Sequence, residues 1–119
     1  MAKILIVDDV RDLADSTAEM LRLLGHETRT AYNGREAIAA VDADRPDMVL
    51  LDLHMPLCDG FEAAREIRTR HPSPTPLIIA VSALAGPQIA RRLQDCGFDD
   101  YVTKPADVVS LVALMEARP

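Results

Sequence analysis

Short apolar runs alternate with amphipathic stretches five times along the chain. Three of the runs are continuous and rich in branched aliphatic residues, which is typical of strands buried on both faces: Ile4–Val7, Met48–Leu51 and Leu77–Val81. Thr28–Ala31 and Asp100–Thr103 are more polar and are predicted to be weaker or edge strands. The resulting order, βαβαβαβαβα, favours right-handed crossovers and a parallel sheet covered by helices on both faces.

The amphipathic stretches carry the residue types that begin and end helices. Asn33 and Glu36 have the spacing of a capping box at the start of the second helix. Gly25 and Gly97 are suited to end the first and the fourth helix. In the first helix the stripe Ala14–Ala18–Leu21 is predicted to face the sheet, although a second set also repeats at helical spacing: Leu13, Thr17, Met20, Leu21 and Leu24. A fifth helix is predicted from Val108, Leu111, Val112 and Met115.

Composition narrows the class of protein. With 49% hydrophobic and 27% charged residues, the 119-residue chain is predicted to be one globular domain with its own core. A net charge of −6 argues against nucleic acid as a partner, and no apolar run exceeds five residues, so no membrane insertion is expected. The short apolar start does not resemble a signal peptide, so the expected location is cytoplasmic. Cys58 and Cys96 form no CxxC pair and are expected to be reduced.

Polar residues stand at the carboxyl ends of the predicted strands, where ligands bind in open α/β sheets. Asp8 and Asp9 follow the first strand, and Asp52 follows the third. Ser82 follows the fourth strand, and Lys104 comes directly after the fifth. Taken singly, each of these residues is also explained as a turn former, a helix cap or a solvated charge. Those explanations do not predict carboxylates on the two central strands with a lysine beside them, so the set as a whole indicates a site.

The charges of this set indicate its chemistry. Three carboxylates within a few ångströms repel one another, and the ammonium of Lys104 offsets only one of them. A hard divalent cation would balance the rest, and Mg²⁺ prefers oxygen ligands and fills its remaining positions with water and phosphate. A carboxylate can attack phosphorus, so phosphoryl transfer to Asp52 is the predicted chemistry. Eleven of the thirteen cationic residues are arginine, so a lysine at position 104 is an exception. A functional explanation is that the compact ammonium of a lysine can bind a single phosphoryl oxygen.

Four ordered segments make the chain resemble the receiver domain of two-component response regulators. They are Ile4-Leu-Ile-Val-Asp-Asp9, Leu50-Leu-Asp-Leu-His-Met-Pro-Leu-Cys-Asp-Gly60, Ser82-Ala83 and Gly97-Phe-Asp-Asp-Tyr-Val-Thr-Lys-Pro105. The resemblance covers the whole chain and implies one receiver domain over residues 1–119. It also implies the doubly wound, flavodoxin-like (βα)5 fold, an α/β three-layer sandwich around a parallel five-stranded sheet of order 2-1-3-4-5.

The same resemblance implies a role for each residue of the set. Asp52 is implied as the phosphoacceptor, which takes a phosphoryl group from a histidine kinase or a histidine phosphotransfer domain in a reaction that depends on Mg²⁺ (or Mn²⁺). The implied metal ligands are the carboxylates of Asp9 and Asp52, the backbone carbonyl of His54 and, through water, Asp8. The implied phosphoryl-binding residues are Ser82, Ala83 and Lys104, the implied switch residues are Ser82 and Tyr101, and a cis peptide bond is implied before Pro105.

A receiver domain is implied to be a signalling domain with at most slow autodephosphorylation rather than an enzyme. On phosphorylation the surface of the fourth helix, fifth strand and fifth helix is implied to change, making it available for homodimerisation or an output partner. Whether the chain is a stand-alone regulator or part of a hybrid kinase or a transcription regulator stays open.

Three other functions agree with parts of this pattern. An aspartate-nucleophile phosphatase of the haloacid dehalogenase type needs a second aspartate two residues after its nucleophile, where this chain has Val10. A flavin-binding flavodoxin-like module needs a hydroxyl- and glycine-rich phosphate loop, and Asp8 and Asp9 would repel that phosphate. A receiver-like scaffold that no longer accepts phosphate would not need the complete set of five site residues.

Overall fold

Five strands form one parallel sheet in the computed structural model, which describes residues 2–55, 58–72, 76–83 and 86–103. They are β1 (Lys3–Val7), β2 (Glu27–Ala31), β3 (Met48–Asp52), β4 (Leu77–Ser82) and β5 (Asp100–Thr103). Their order in the sheet is β2-β1-β3-β4-β5, which confirms the predicted fold and strand order. Every predicted strand is confirmed to within one residue at each end.

Four helices connect these strands within the described residues. They are α1 (Arg11–Leu23), α2 (Gly34–Ala43), α3 (Gly60–Arg70) and α4 (Pro87–Asp95). In the described ranges, no helix is both long enough and apolar enough to span a membrane. The prediction of a fifth helix falls outside the described residues, as do Lys104 and Pro105.

The core lies on both faces of the sheet. On one face α2, α3 and α4 cover alternate strand residues such as Leu5, Val49 and Ile78. On the other face α1 covers the intervening residues, among them Ile6 and Leu50. The two central strands are therefore buried from both sides, and this explains their continuous apolar sequences.

The face that α1 turns to the sheet is the small-residue stripe. Ala14, Ala18 and Leu21 are buried, as predicted. Leu13 and Met20, which share the helical repeat, are 53% and 47% exposed. The wider apolar repeat of α1 therefore includes residues that do not belong to the core.

The ends of the helices follow the predicted signals. Asn33 Oδ1 accepts a hydrogen bond from the Glu36 amide at 2.8 Å, and Asn33 Nδ2 donates to Glu36 Oε2 at 2.9 Å. This side-chain pair confirms the predicted start of α2. Gly25 and Gly97 adopt φ values of 98° and 96° after α1 and α4, a conformation that favours glycine.

The far end of α3 is tied to α2 by charged side chains. Asp42 of α2 forms an ion pair with Arg70 and lies 2.8 Å from Nε2 of His71. The hydrogen bond with His71 and the charge of Arg70 lower the pKa of the Asp42 carboxyl. These contacts lie at the end of the sheet opposite the predicted site, and they hold the C-terminal end of α3 in place.

Replacing Gly97 with alanine should destabilise the fold more than the same change at Gly25. Both positions have positive φ, so each alanine costs about 1–2 kcal/mol in the free energy of unfolding. A methyl group at Gly97 would also come within 2.5 Å of Arg68 Cγ, whereas nothing lies within 4 Å of one at Gly25. Urea unfolding of Gly97→Ala and Gly25→Ala measures the difference, and equal losses would contradict the close packing against Arg68.

Candidate functional site

Three carboxylates meet at the carboxyl ends of the two central strands. Val7 pairs with Leu51 across β1 and β3, so Asp8 and Asp52, the next residues along each chain segment, are brought side by side. One carboxylate oxygen from each of Asp8, Asp9 and Asp52 lies within 4.8 Å of the other two. Asp52 is only 3% exposed, whereas Asp9 is open to solvent and Asp8 is half-buried. The predicted convergence of the three aspartates is what the structure contains.

Backbone hydrogen bonds hold the loop that carries Asp8. The Asp8 amide donates to the carbonyl of Ala31 at 3.2 Å, which extends the pairing of β1 with β2 by one residue. Asp8 Oδ1 accepts a hydrogen bond from the Val10 amide at 2.9 Å. One oxygen of this carboxylate is thus engaged with the start of α1, which orients the side chain toward the edge of the sheet.

The first turn of α3 packs directly on the end of β3. The Gly60 amide donates to the carbonyl of Leu53 at 3.0 Å, and Asp59 Oδ1 caps the helix by accepting from the Glu62 amide at 2.9 Å. A Cβ atom at Gly60 would overlap the backbone carbonyl of Asp52. The close approach of helix and strand therefore requires glycine here. The role of Gly60 was not predicted from the sequence, although the pair Asp59-Gly60 after the third strand is a signal of a helix cap and a close approach.

Ser82 lies on the strand next to Asp52. Asp52 pairs with Val81 across β3 and β4, so Ser82 is one residue further toward the carboxyl edge, and it is 1% exposed. Ala83 follows it and is exposed. His54, two residues after Asp52, has an exposed side chain. Tyr101 pairs with Ala80 across β4 and β5, and its half-buried side chain packs on the core beneath α4.

Two predicted site residues follow β5 in the sequence. Lys104 and Pro105 lie outside the described residues, although β5 ends at the preceding Thr103, which pairs with Ser82. The described part of the site consists of three aspartates and a serine.

The donor set fits a hard divalent cation. Carboxylate oxygens are the ligands that Mg²⁺ prefers, and a magnesium ion uses one or two carboxylates and keeps several waters. Three negative charges so close together repel, and the burial of Asp52 reduces the screening that water would supply. A cation held between the three oxygens would relieve that repulsion.

Comparison with known proteins identifies the family. The model of the response regulator receiver domain matches residues 4–116, and the chain belongs to this family. Among solved structures, it is similar to the chemotaxis protein CheY4 of Vibrio cholerae, with 27% identity, coverage of 98% of both chains and a TM-score of 0.91. It is also similar to the signal receiver domain of a signal transduction histidine kinase from Syntrophus aciditrophicus, with 32% identity, coverage of 98% and 89%, and a TM-score of 0.85.

Membership in this family gives the general class of function. Receiver domains are signalling domains of two-component systems, act in phosphorelays and interact with histidine kinases or phosphotransfer proteins. Receiver domains generally bind Mg²⁺ at an acidic pocket, and this chain has a cluster of three aspartates at the ends of β1 and β3. The match decides against the phosphatase and flavin-binding alternatives.

Replacing Gly60 with alanine should weaken Mg²⁺ binding on the order of tenfold, since the new methyl group would displace the backbone of Asp52. Gly34→Ala is the matched control, because a Cβ atom there would overlap the carbonyl of Cys58 instead and leave Asp52 in place. Titration with Mg²⁺, followed by amide chemical shifts in variants shown to be folded, measures the affinities. Unchanged affinity in folded Gly60→Ala would show that the approach of α3 does not position Asp52.

Proposed function

We propose that residues 1–119 form one receiver domain that accepts a phosphoryl group on Asp52 from a histidine kinase or a histidine phosphotransfer domain. The observation that carries the proposal is the position of Asp52, buried at the end of a central strand with carboxylate oxygens of Asp8 and Asp9 within 4.8 Å. A nucleophile needs to be held still, and β3 with the first turn of α3 holds the backbone of Asp52 on both sides.

The proposed step transfers a phosphoryl group from a histidine nitrogen of the donor to a carboxylate oxygen of Asp52. A carboxylate oxygen of Asp52 attacks the phosphorus of a phosphohistidine, the new P–O bond forms, and the P–N bond breaks with its electron pair going to the imidazole. The chain acts as a phosphoryl acceptor rather than an enzyme, with at most slow hydrolysis of the acyl phosphate. The low exposure of Asp52 supports slow hydrolysis, because it limits the approach of water.

We assign the metal ligands to the aspartate cluster. Asp8, Asp9, Asp52 and the backbone carbonyl of His54 would hold Mg²⁺ (or Mn²⁺). When bound, the cation would supply the positive charge that neutralises the phosphoryl oxygens. The engagement of Asp8 Oδ1 with the Val10 amide supports a less direct role for Asp8 than for Asp9.

We propose that Ser82, Ala83 and Lys104 bind the phosphoryl oxygens. Ser82 is on the strand adjacent to Asp52, within one residue of its register partner, which supports a hydroxyl donor at that point. Lys104 directly follows the end of β5, where Thr103 pairs with Ser82. The cis peptide bond before Pro105 stays a prediction, as does the cytoplasmic location.

The switch is proposed to run through Ser82 and Tyr101. A movement of Ser82 toward the phosphoryl group would change the space beside β5, into which the half-buried Tyr101 could turn. The surface of α4, β5 and the fifth helix would then differ between the two states and could bind a second copy or an output partner. Direct binding of nucleic acid and insertion into a membrane are not proposed, in keeping with the net charge of −6.

The phosphoryl donor is proposed to dock on the rim of the site and on α1. Leu13 and Met20 lie on the exposed side of α1, and Val10, 48% exposed, adjoins the aspartates. An exposed apolar strip that begins beside the phosphoacceptor suits a helical partner presenting a histidine.

Treatment with acetyl phosphate and Mg²⁺ should label Asp52 and no other residue. Asp52→Asn should lose the mass increase, while Asp95→Asn, an exposed carboxylate at the end of α4, should be labelled as the wild type is. Intact mass with peptide mapping measures both. Label on Asp8 or Asp9 in the wild type would disprove the assignment of the phosphoacceptor.

Asp9→Asn should weaken Mg²⁺ binding on the order of tenfold or more, and Asp8→Asn should weaken it less. The physical reason is that Asp9 is proposed as a direct ligand and Asp8 as one that acts through water. Asp12→Asn removes an exposed charge from the first turn of α1 and controls for the general loss of negative charge. Affinities come from amide shifts during Mg²⁺ titration, and equal losses for Asp8 and Asp9 would show that the two roles are wrongly divided.

A further inference from the structure

The helix α4 is held to the body of the protein by few buried side chains. All nine of its residues are described, and of these only Leu93 is buried. Ile89 is half-buried and packs on the core, and the remainder of the helix faces solvent or lies at its border. By contrast, five residues of α3 are buried. The position of α4 therefore depends on a small number of specific contacts.

Arginines of α3 fasten the C-terminal end of α4. Arg65 Nη2 donates to Cys96 Sγ at 3.2 Å, and Arg68 Nε donates to the carbonyl of Gly97 at 2.9 Å. Arg68 Nη2 is also 2.5 Å from Asp99 Oδ2, an oxygen that in turn accepts the Ile78 amide at 2.8 Å. The segment that follows α4 is thus fixed to both α3 and β4.

Besides the apolar packing of Ile89 and Leu93, the side chain of Arg92 joins the body of α4 to α3. The guanidinium of Arg92 lies over the ring of Phe61, with Cζ 3.8 Å from the ring centroid, which is the geometry of a cation–π interaction. Phe61 is buried, and its ring meets that of Phe98 edge to face at a centroid distance of 6.2 Å. Side chains on a helix point toward its N-terminus, so Arg92 reaches back toward the edge of the sheet that carries the site.

Phe61 lies next to the residue of α3 that contacts the backbone of Asp52. It follows Gly60, whose Cα lies so close to the backbone of Asp52 that a Cβ atom would overlap the Asp52 carbonyl. The contact of Arg92 therefore joins α4 to the same turn of α3 that touches the backbone of Asp52.

We propose that Arg92 is a positioning residue whose contact with Phe61 holds α4 in the position described above, and that phosphorylation of Asp52 loosens this contact. The inference rests on the proposed function, since it names the contact that the switch must loosen. The C-terminal end of α4 is fixed by Arg65 and Arg68, and Phe61 is fixed by the core. Movement of α4 on phosphorylation would therefore be a pivot about its C-terminal end, in which the Arg92–Phe61 contact is lost.

The test compares Arg92→Gln with Arg91→Gln, which removes the same charge from the adjacent exposed position of α4. The probe is beryllofluoride with Mg²⁺, a mimic of the phosphoryl group, titrated while amide shifts are recorded. Loss of a contact made in only one state should make Arg92→Gln bind beryllofluoride about two- to fivefold more tightly than wild type. In the free protein, its amides in α4 should shift toward their beryllofluoride-bound positions, and Arg92→Lys should fall between Arg92→Gln and wild type.

Other outcomes overturn the proposal. If Arg92→Gln lowers the melting temperature but leaves beryllofluoride affinity unchanged, the contact is equal in both states and only stabilises the fold. Weaker binding would mean that the contact belongs to the phosphorylated state.

If the wild type binds no beryllofluoride, the proposed function fails. Amide hydrogen exchange measured without ligand then still tests whether the contact between Arg92 and Phe61 holds α4. Faster exchange of α4 in Arg92→Gln than in Arg91→Gln supports its holding role, and equal exchange overturns it.

Discussion

Mutual repulsion among the three carboxylates at the ends of β1 and β3 is the constraint on which the site depends. Unaided, Asp8, Asp9 and Asp52 would move apart, and the fold prevents this by pairing the two strands in register and by hydrogen bonds at their ends. These hydrogen bonds and the packing of Gly60 act on the backbone, so they hold the aspartates in place without using the carboxylate oxygens. Three carboxylate oxygens held this close together are the kind of donor set that a hard divalent cation prefers.

Much of the fold and of the described site could be predicted because the signals are local. A continuous apolar run indicates a strand buried on both faces, and the residue after it must lie at the carboxyl edge; this placed Asp8, Asp52 and Ser82 correctly. The pair Asn33 and Glu36 likewise needs only its own spacing to predict a helix start. The buried face of α1 was predicted from the stripe Ala14–Ala18–Leu21, although a leucine at helical spacing such as Leu13 also resembles a core residue.

Contacts made by long side chains between helices could not be predicted from the sequence. Arg68 reaches Gly97 and Asp99, and Arg92 reaches Phe61, across separations of about thirty residues, and each depends on how two helices dock on the sheet. No periodic pattern carries that information. These contacts nevertheless give the arginine-rich composition a structural meaning, because a planar guanidinium can donate to two acceptors or stack on a ring, which an ammonium does less well.

The same contacts distinguish two of the described helices, because α3 is held firmly to the core and α4 is held more loosely. Five residues of α3 are buried, and the ion pair between Arg70 and Asp42 ties its far end to α2, so α3 is firmly attached to the core. With its end anchored, α4 has one buried residue and one stacked arginine along its length. In the proposed switch, a change at Asp52 would reach α4 through the first turn of α3 and Phe61, in addition to the proposed movement of Ser82. Because Arg92 joins α4 to this turn of α3, the two effects would act on the helix together, so even a small displacement at the site would favour one position of α4 over the other.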